Sequence, residues 1–165
     1  MAAQLEHVKW IPGTAFIVDG FRFPSSQCRH YFLTHAHADH TTGLKKSWNA
    51  GKIYCTPVTA KLIIEEQSIP KRIVSVVPLN EPFWLEGVRI TALCANHCPG
   101  ACMFLFQTPL DTSDDSKKFH SILHTGDFRY AASLLSSDTY GSQLLWLLAW
   151  YTSNRVQLQP QLLDT

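Results

Sequence analysis

The sequence predicts a mixed α/β domain in which strands dominate. Short apolar runs recur and end in turn residues, one of them leads into a capped helix, and polar clusters stand at the carboxyl ends of several others. With 165 residues, 45% of them hydrophobic and 16% charged, and with five Trp and nine Phe, the chain has the apolar content of one packed domain and is too short for several. Its formal net charge of +1 means that any nucleic-acid surface must come from local clustering of basic residues.

Taken in order, residues 15–18 read as a strand ending at Asp19-Gly20, and residues 30–34 as a second strand buried at Tyr31 to Leu33. Residues 52–55 form a third, followed by a helix with Thr56 at the N-cap, Pro57 at its first position and 58–67 as its body. Residues 73–79 are strand-like. Residues 83–85 and 88–93 make a hairpin about Glu86-Gly87, with Val88, Ile90 and Ala92 on one face and Arg89 and Thr91 on the other. Residues 102–106 are a buried run and 110–118 a polar loop, and 119–123 form a strand leading into His124-Thr-Gly-Asp127. After Arg129 the composition changes: Arg155 is the only basic residue that follows, and no His does.

The first residues carry Glu6, His7 and Lys9 among scattered apolar positions, unlike a secretory signal, so the chain is expected to start inside the cell. The apolar run 144–151 is far short of the roughly 20 residues of a membrane span. Five Cys, an odd number, favour free thiols over a disulfide framework. Cys94, Cys98 and Cys102 match no iron–sulfur spacing, and Cys94 and Cys102 fall in apolar runs, which favours small buried hydrophobes.

The chemistry concentrates in His35-Ala-His37-Ala-Asp39-His40, which sets three imidazoles and a carboxylate within six residues directly after a buried strand. Imidazole nitrogen and carboxylate oxygen suit zinc. A loop leaving a rigid strand aims alternate side chains at two positions, His35 and His37 at one, Asp39 and His40 at the other. Two divalent ions about 3.5–4 Å apart would activate water and clamp the oxygens of a displacement, so hydrolysis is the expected chemistry. His97, beside a Pro-Gly turn, and Asp127, after the last strand, are further ligand candidates that gain weight only in combination with this loop. Lys45 and Lys46 are candidates for phosphate contact by their nearness in sequence, against the alternative of solvated surface lysines.

The ordered set of His35-x-His37-x-Asp39-His40, His97 and Asp127, with Asp19 upstream, resembles the metallo-β-lactamase superfamily. Within it, residues 31–40, 52–55, Ala95-Asn-His-Cys-Pro-Gly-Ala101 and His124-Thr-Gly-Asp-Phe-Arg-Tyr130 resemble the β-CASP nucleases of DNA interstrand cross-link repair, nearest to the Apollo and Artemis branch. The resemblance covers about residues 8–130. It implies an αββα sandwich with the metals at the edge of two sheets, and a zinc-dependent 5′ exonuclease acting on DNA in the nucleus. By position it implies His35, His37 and His97 on one zinc ion, Asp39 and His40 on a second, and Asp127 bridging them, with Asp39 and Asp127 as the catalytic carboxylates and Asp19 orienting the metal loop. The nucleophile would be metal-activated water.

Family members continue into a second half of the sandwich and a β-CASP cap. Here residues 1–130 are expected to be the N-terminal part of the metallo-β-lactamase domain, the cap to be absent, and residues 131–165 to be a divergent tail, an alternative or misread C-terminus in which Ser137-Asp138-Thr139-Tyr140 faintly echoes a family motif. Three functions remain open at this point: the exonuclease, an inactive truncated fragment that binds metal or partners, and a small-molecule hydrolase on the same scaffold. DNA is the expected partner, no membrane is, and the sequence names no protein partner.

Overall fold

A computed structural model describes residues 9–110 and 119–129 of the chain. Strands β1 (Phe16–Val18), β2 (His30–Phe32), β3 (Lys52–Cys55) and β4 (Val74–Val76) form one sheet in the order β1-β2-β3-β4, every pair parallel. Parallel neighbours need crossovers. The link from β2 to β3 contains the one-turn helix α1 (Ala38–Thr41), and the link from β3 to β4 contains α2 (Pro57–Glu65) and a 3₁₀ turn (Lys71–Ile73). Strands β5 (Phe83–Leu85), β6 (Val88–Cys94), β7 (Cys102–Pro109) and β8 (Phe119–His124) form a second sheet, an antiparallel meander in chain order.

Strand periodicity sorts the apolar residues into two layers. Phe16, Val18, Phe32 and Tyr54 of the first sheet pack with Val88, Ile90, Ala92, Cys102, Phe104 and Phe106 of the second, forming the core between the sheets. Their neighbours in sequence, Ile17, Tyr31, Leu33, Ile53 and Cys55, face the other way and pack with Ala60 and Ile63 of α2 and with Phe21, Leu44 and Trp48. Strands β1, β2 and β3 are thus buried on both faces and accordingly apolar at consecutive positions, whereas the edge strand β4 (Val-Ser-Val) leaves Val76 exposed. Phe32 sits at the centre, its ring centroid 5.4 Å from Phe16, 5.0 Å from Tyr54, 5.2 Å from Phe104 and 5.1 Å from Phe106.

The mixed α/β architecture agrees with expectation, as does the hairpin. Glu86 (φ 48°) and Gly87 (φ 76°) both take the left-handed conformation that a tight two-residue turn requires. Four local expectations are corrected. The strand expected over 73–79 is only Val74–Val76, because Pro78 has no N–H for the ladder. There the chain passes to the second sheet, where Leu79 bridges to Ala92 and the Asn80 N–H donates to the Ala92 carbonyl at 2.8 Å. Residues 38–41 form a helical turn where a loop was expected. Thr56 occupies the N-cap of α2, but its hydroxyl donates to the Gly100 carbonyl and makes no capping bond. The strand expected at 102–106 runs on to Pro109 because β8 pairs with its whole second half. Most of the expected polar loop, residues 111–118, and the tail 131–165 lie outside the described residues.

Candidate metal centre

Strand direction brings the polar segments together. Asp19 follows β1, and Thr34 and His35 follow β2, so in a parallel pair they share one sheet edge. In the meander β6 and β8 run the same way, so Asn96-His97 and Thr125-Gly-Asp127 also leave from one edge. One backbone bond joins the two edges, the Cys102 N–H donating to the Thr34 carbonyl at 3.0 Å, and another ties the ends of β6 and β8 together, the Arg129 N–H donating to the Ala95 carbonyl at 2.9 Å. Gly126 (φ 52°) closes the approach, since a Cβ there would stand 2.8–2.9 Å from side-chain atoms of Thr34.

Asp19 is the hub. It is buried, lies in the left-handed region (φ 50°) and spends both carboxylate oxygens on the metal loop. Oδ1 accepts the Thr34 N–H at 2.9 Å, and Oδ2 accepts the Thr34 hydroxyl at 2.7 Å and faces His40 Nδ1 at 2.8 Å. Because that hydroxyl donates to Asp19, its oxygen is left to accept the His35 Nδ1–H at 3.0 Å. Both histidines therefore hold their protons on Nδ1 and present Nε2 to the space between the sheet edges.

Several donor atoms converge in that space. His40 Nε2 is 3.3 Å from Asp39 Oδ2 and 3.3 Å from Asp127 Oδ1. Asp127 Oδ2 is 3.9 Å from His35 Nε2 and 3.7 Å from His97 Nε2. His97 Nε2 is 3.3 Å from His37 Nδ1. His35 is fully buried, and its Nε2 has no hydrogen-bond partner. A buried polar atom in that state is costly unless something else fills its lone pair. Ligand atoms of His35, His40 and Asp127 lie within 4.8 Å of one another, as do those of His35, His37, His97 and Cys98. These residues fit a divalent cation.

The electrostatics agree. Burial, followed by the charge of His40, pushes His35 down to about 4, so it is a neutral ligand near pH 7. Burial also disfavours the charged forms of Asp19 and His40, but their mutual hydrogen bond and charge prevail, lowering Asp19 and raising His40.

Of the residues singled out in the sequence, His35, His37, His40, His97 and Asp127 come together around this space, with Asp19 behind it. Asp39 is at its rim, its side chain 76% exposed. Asp39 and His40, expected to serve one position, stand side by side in α1, with Asp39 Oδ2 3.3 Å from His40 Nε2. Lys45 and Lys46 are exposed in the segment after α1. The sequence reading missed three residues. Thr34 carries the link from Asp19 to His35. Cys98 is half-buried beside three histidines, whereas Cys102 is the buried hydrophobe expected of the group. His124, at the end of β8, is lowered by burial against the opposing charge of Asp19. Only the adjacency of Thr34 to His35 and of Cys98 to His97 pointed to two of them.

No profile of a known protein family matches the chain. Among curated proteins, it is 44% identical over 128 residues to DNA ligase 6 of Arabidopsis thaliana, a match covering 77% of this chain and 9% of that protein. It is 40% identical over 139 residues to the DNA cross-link repair protein PSO2/SNM1 of Saccharomyces cerevisiae (79% and 21%) and 38% identical over 126 residues to the 5′ exonuclease Apollo of Gallus gallus (75% and 25%). The chain thus spans about a quarter or less of each of these relatives. Among solved structures, the metallo-β-lactamase SMB-1 with mercaptoacetic acid aligns at a TM-score of 0.47 and 16% identity, covering 84% of this chain and 62% of that one.

Proposed function

The chain belongs to the metallo-β-lactamase-fold family of DNA cross-link repair proteins, and from that membership we propose that its site is the metal centre of a DNA 5′ exonuclease. The observation that carries the reading is the convergence of His35 Nε2, His40 Nε2 and the Asp127 carboxylate, with the first of these buried and unpartnered.

In this reading His35, His37 and His97 would hold one zinc ion and Asp39 and His40 a second, and Asp127 would contribute its carboxylate to the pair. Imidazole and carboxylate donors favour zinc over magnesium or calcium, which prefer oxygen alone. When bound, the metal supplies Lewis acidity at the scissile phosphate and lowers the pKa of the attacking water. The protein's own work is positioning. Asp19 and Thr34 keep the Nδ1 protons of His40 and His35 in place, which fixes both rings and leaves their Nε2 lone pairs as donors. Asp127 supplies negative charge facing His35, His40 and His97, and Asp39 adds a carboxylate beside His40 at the exposed rim. Lys45 and Lys46, exposed after α1, are assigned to the DNA backbone.

The same reading makes residues 1–130 the N-terminal part of the metallo-β-lactamase domain and residues 131–165 a divergent tail, with the nucleus as the place of action. No helix among the described residues is long and apolar enough to cross a membrane.

The test is a comparison of the zinc-loaded chain with His35→Ala on 5′-phosphorylated single-stranded DNA. The unmodified chain is expected to shorten the strand from its 5′ end. The variant should lose more than the about 10–100-fold that removal of a supporting group costs. Equal activity in the two would overturn the nuclease assignment. Metal uptake without cleavage would favour a metal-binding fragment, and turnover of small esters or lactams alone a small-molecule hydrolase.

A further inference from the structure

We propose that Cys94 and Cys102 form a dithiol site for reversible oxidation by a peroxide, which joins them as a disulfide between the end of β6 and the start of β7. The site needs neither metal nor substrate, so it stands apart from the nuclease reading. Cys94 and Cys102 are direct cross-strand partners, the last pair of the β6–β7 ladder. One step further along, the Ala95 N–H donates to the Ala101 carbonyl at 3.2 Å, while the Cys102 N–H goes to Thr34 of the other sheet. Hydrogen-bonded and non-hydrogen-bonded pairs alternate along an antiparallel ladder. Cys94 and Cys102 are therefore a pair of the second kind, whose Cα atoms stand about 4.5 Å apart with both side chains on one face. A disulfide takes Cα separations of about 4.4–6.8 Å, so the bridge fits the ladder as it stands.

All five cysteines are free thiols. Cys28 and Cys55 pack in the layer on the other face of the parallel sheet, and the Cys98 sulfur stands with the ring nitrogens of His35, His37 and His97. Cys102 lies in the core between the sheets, with Cys94 near enough to act on it electrostatically. Burial holds the Cys102 thiol well above the usual thiol range, so the half-buried Cys94 reacts first. Its sulfur takes a hydroxyl from hydrogen peroxide, becoming a sulfenic acid, and the rest of the peroxide leaves with the thiol proton as water. The Cys102 sulfur then attacks, the S–S bond forms as the S–O bond breaks, and the hydroxyl leaves with the Cys102 proton as a second water. A dithiol reductant reverses the step by exchange.

The bridge closes residues 95–101, the loop that carries His97. Its turn is already held: the Ala101 N–H donates to the Cys98 carbonyl at 3.0 Å. Gly100 (φ 85°) lies so close to α2 that a Cβ would come within 2.9 Å of Thr59 N and Val58 Cβ, and its carbonyl accepts the Thr56 and Thr59 hydroxyls. Oxidation gives up the Cys102 thiol contact with the Thr34 carbonyl at 3.6 Å but leaves the amide bond to the same carbonyl. Closing the loop restricts the unfolded chain, so the oxidised fold is the more stable one.

The purified full chain, treated with stoichiometric hydrogen peroxide, should lose the mass of two hydrogen atoms. Maleimide labelling in denaturant, then reduction and iodoacetamide labelling, should put the first label on Cys98 and the second on Cys94 and Cys102. The oxidised chain should unfold several degrees above the reduced one, and dithiothreitol should restore both mass and midpoint. Cys94→Ser and Cys102→Val should form no bridge and show no shift, whereas Cys98→Ser should still form it. A bridge to Cys98, a bridge that persists in Cys94→Ser, maleimide on both Cys94 and Cys102 after peroxide, or an oxidised chain no more stable than the reduced one would overturn the assignment.

Discussion

Asp19→Ala is expected to destabilise the metal-free chain by about 3–5 kcal/mol, the cost of leaving a buried charged partner uncompensated, and to weaken metal binding by about 10–100-fold. Asp19 touches none of the converging donor atoms of His35, His37 or His97. Its effect runs through the Thr34 amide and hydroxyl and through His40 Nδ1. Once the carboxylate is gone, the Thr34 hydroxyl can turn to His35 or His40 as a donor, and the Nδ1 protons are no longer fixed. Asp19→Asn separates the two consequences. It tolerates the left-handed backbone and still accepts one hydrogen bond, so stability should largely recover, while the lost charge keeps metal affinity low. Urea unfolding gives the first quantity and zinc titration against a competing chelator the second. A variant that unfolds normally and binds zinc at full strength would contradict the role given to Asp19.

Phe32→Ala is expected to cost about 3–5 kcal/mol. The ring is fully buried at the meeting point of the two sheets and touches Phe16, Tyr54, Phe104 and Phe106. None of these can relax far, because each is fixed by its own strand. The lost aromatic pairs add to the cavity, since each is worth about 0.5–1.5 kcal/mol beyond burial. The denaturation midpoint should fall with an unchanged slope. A loss below about 1.5 kcal/mol would mean that the inter-sheet core is not packed as described.

The sequence made the strand ends legible because each apolar run closes on a turn residue, and the ligand loop legible because three histidines at such spacing have few other uses. The hairpin was equally plain: Glu86-Gly87 separates two alternating runs, and the alternation puts Val88, Ile90 and Ala92 into the core as read. Pairing was less visible. Strands β1, β2 and β3 carry apolar residues on both faces, so period-two patterning does not tell which residues meet the second sheet, and no local signal gives a parallel register. Pro78 was visible, but its role as the crossing between sheets depends on Leu79 finding Ala92. Thr34 and Cys98 escaped because a hydroxyl or thiol next to a histidine is ordinary until distant segments are brought against it. His35 with Thr34, and His97 with Cys98, become units only through the hydrogen bond from Cys102 to Thr34 and the clamp on Gly100.

Convergence of these sheet edges on a divalent cation through His35 is directly measurable. Equilibrium dialysis of the metal-stripped chain against zinc, beside His35→Ala with its fold verified by circular dichroism, measures it without reference to any substrate. Tight, saturable zinc uptake is expected of the unmodified chain, and its loss in the variant. Equal uptake by both, or none by either, would contradict it.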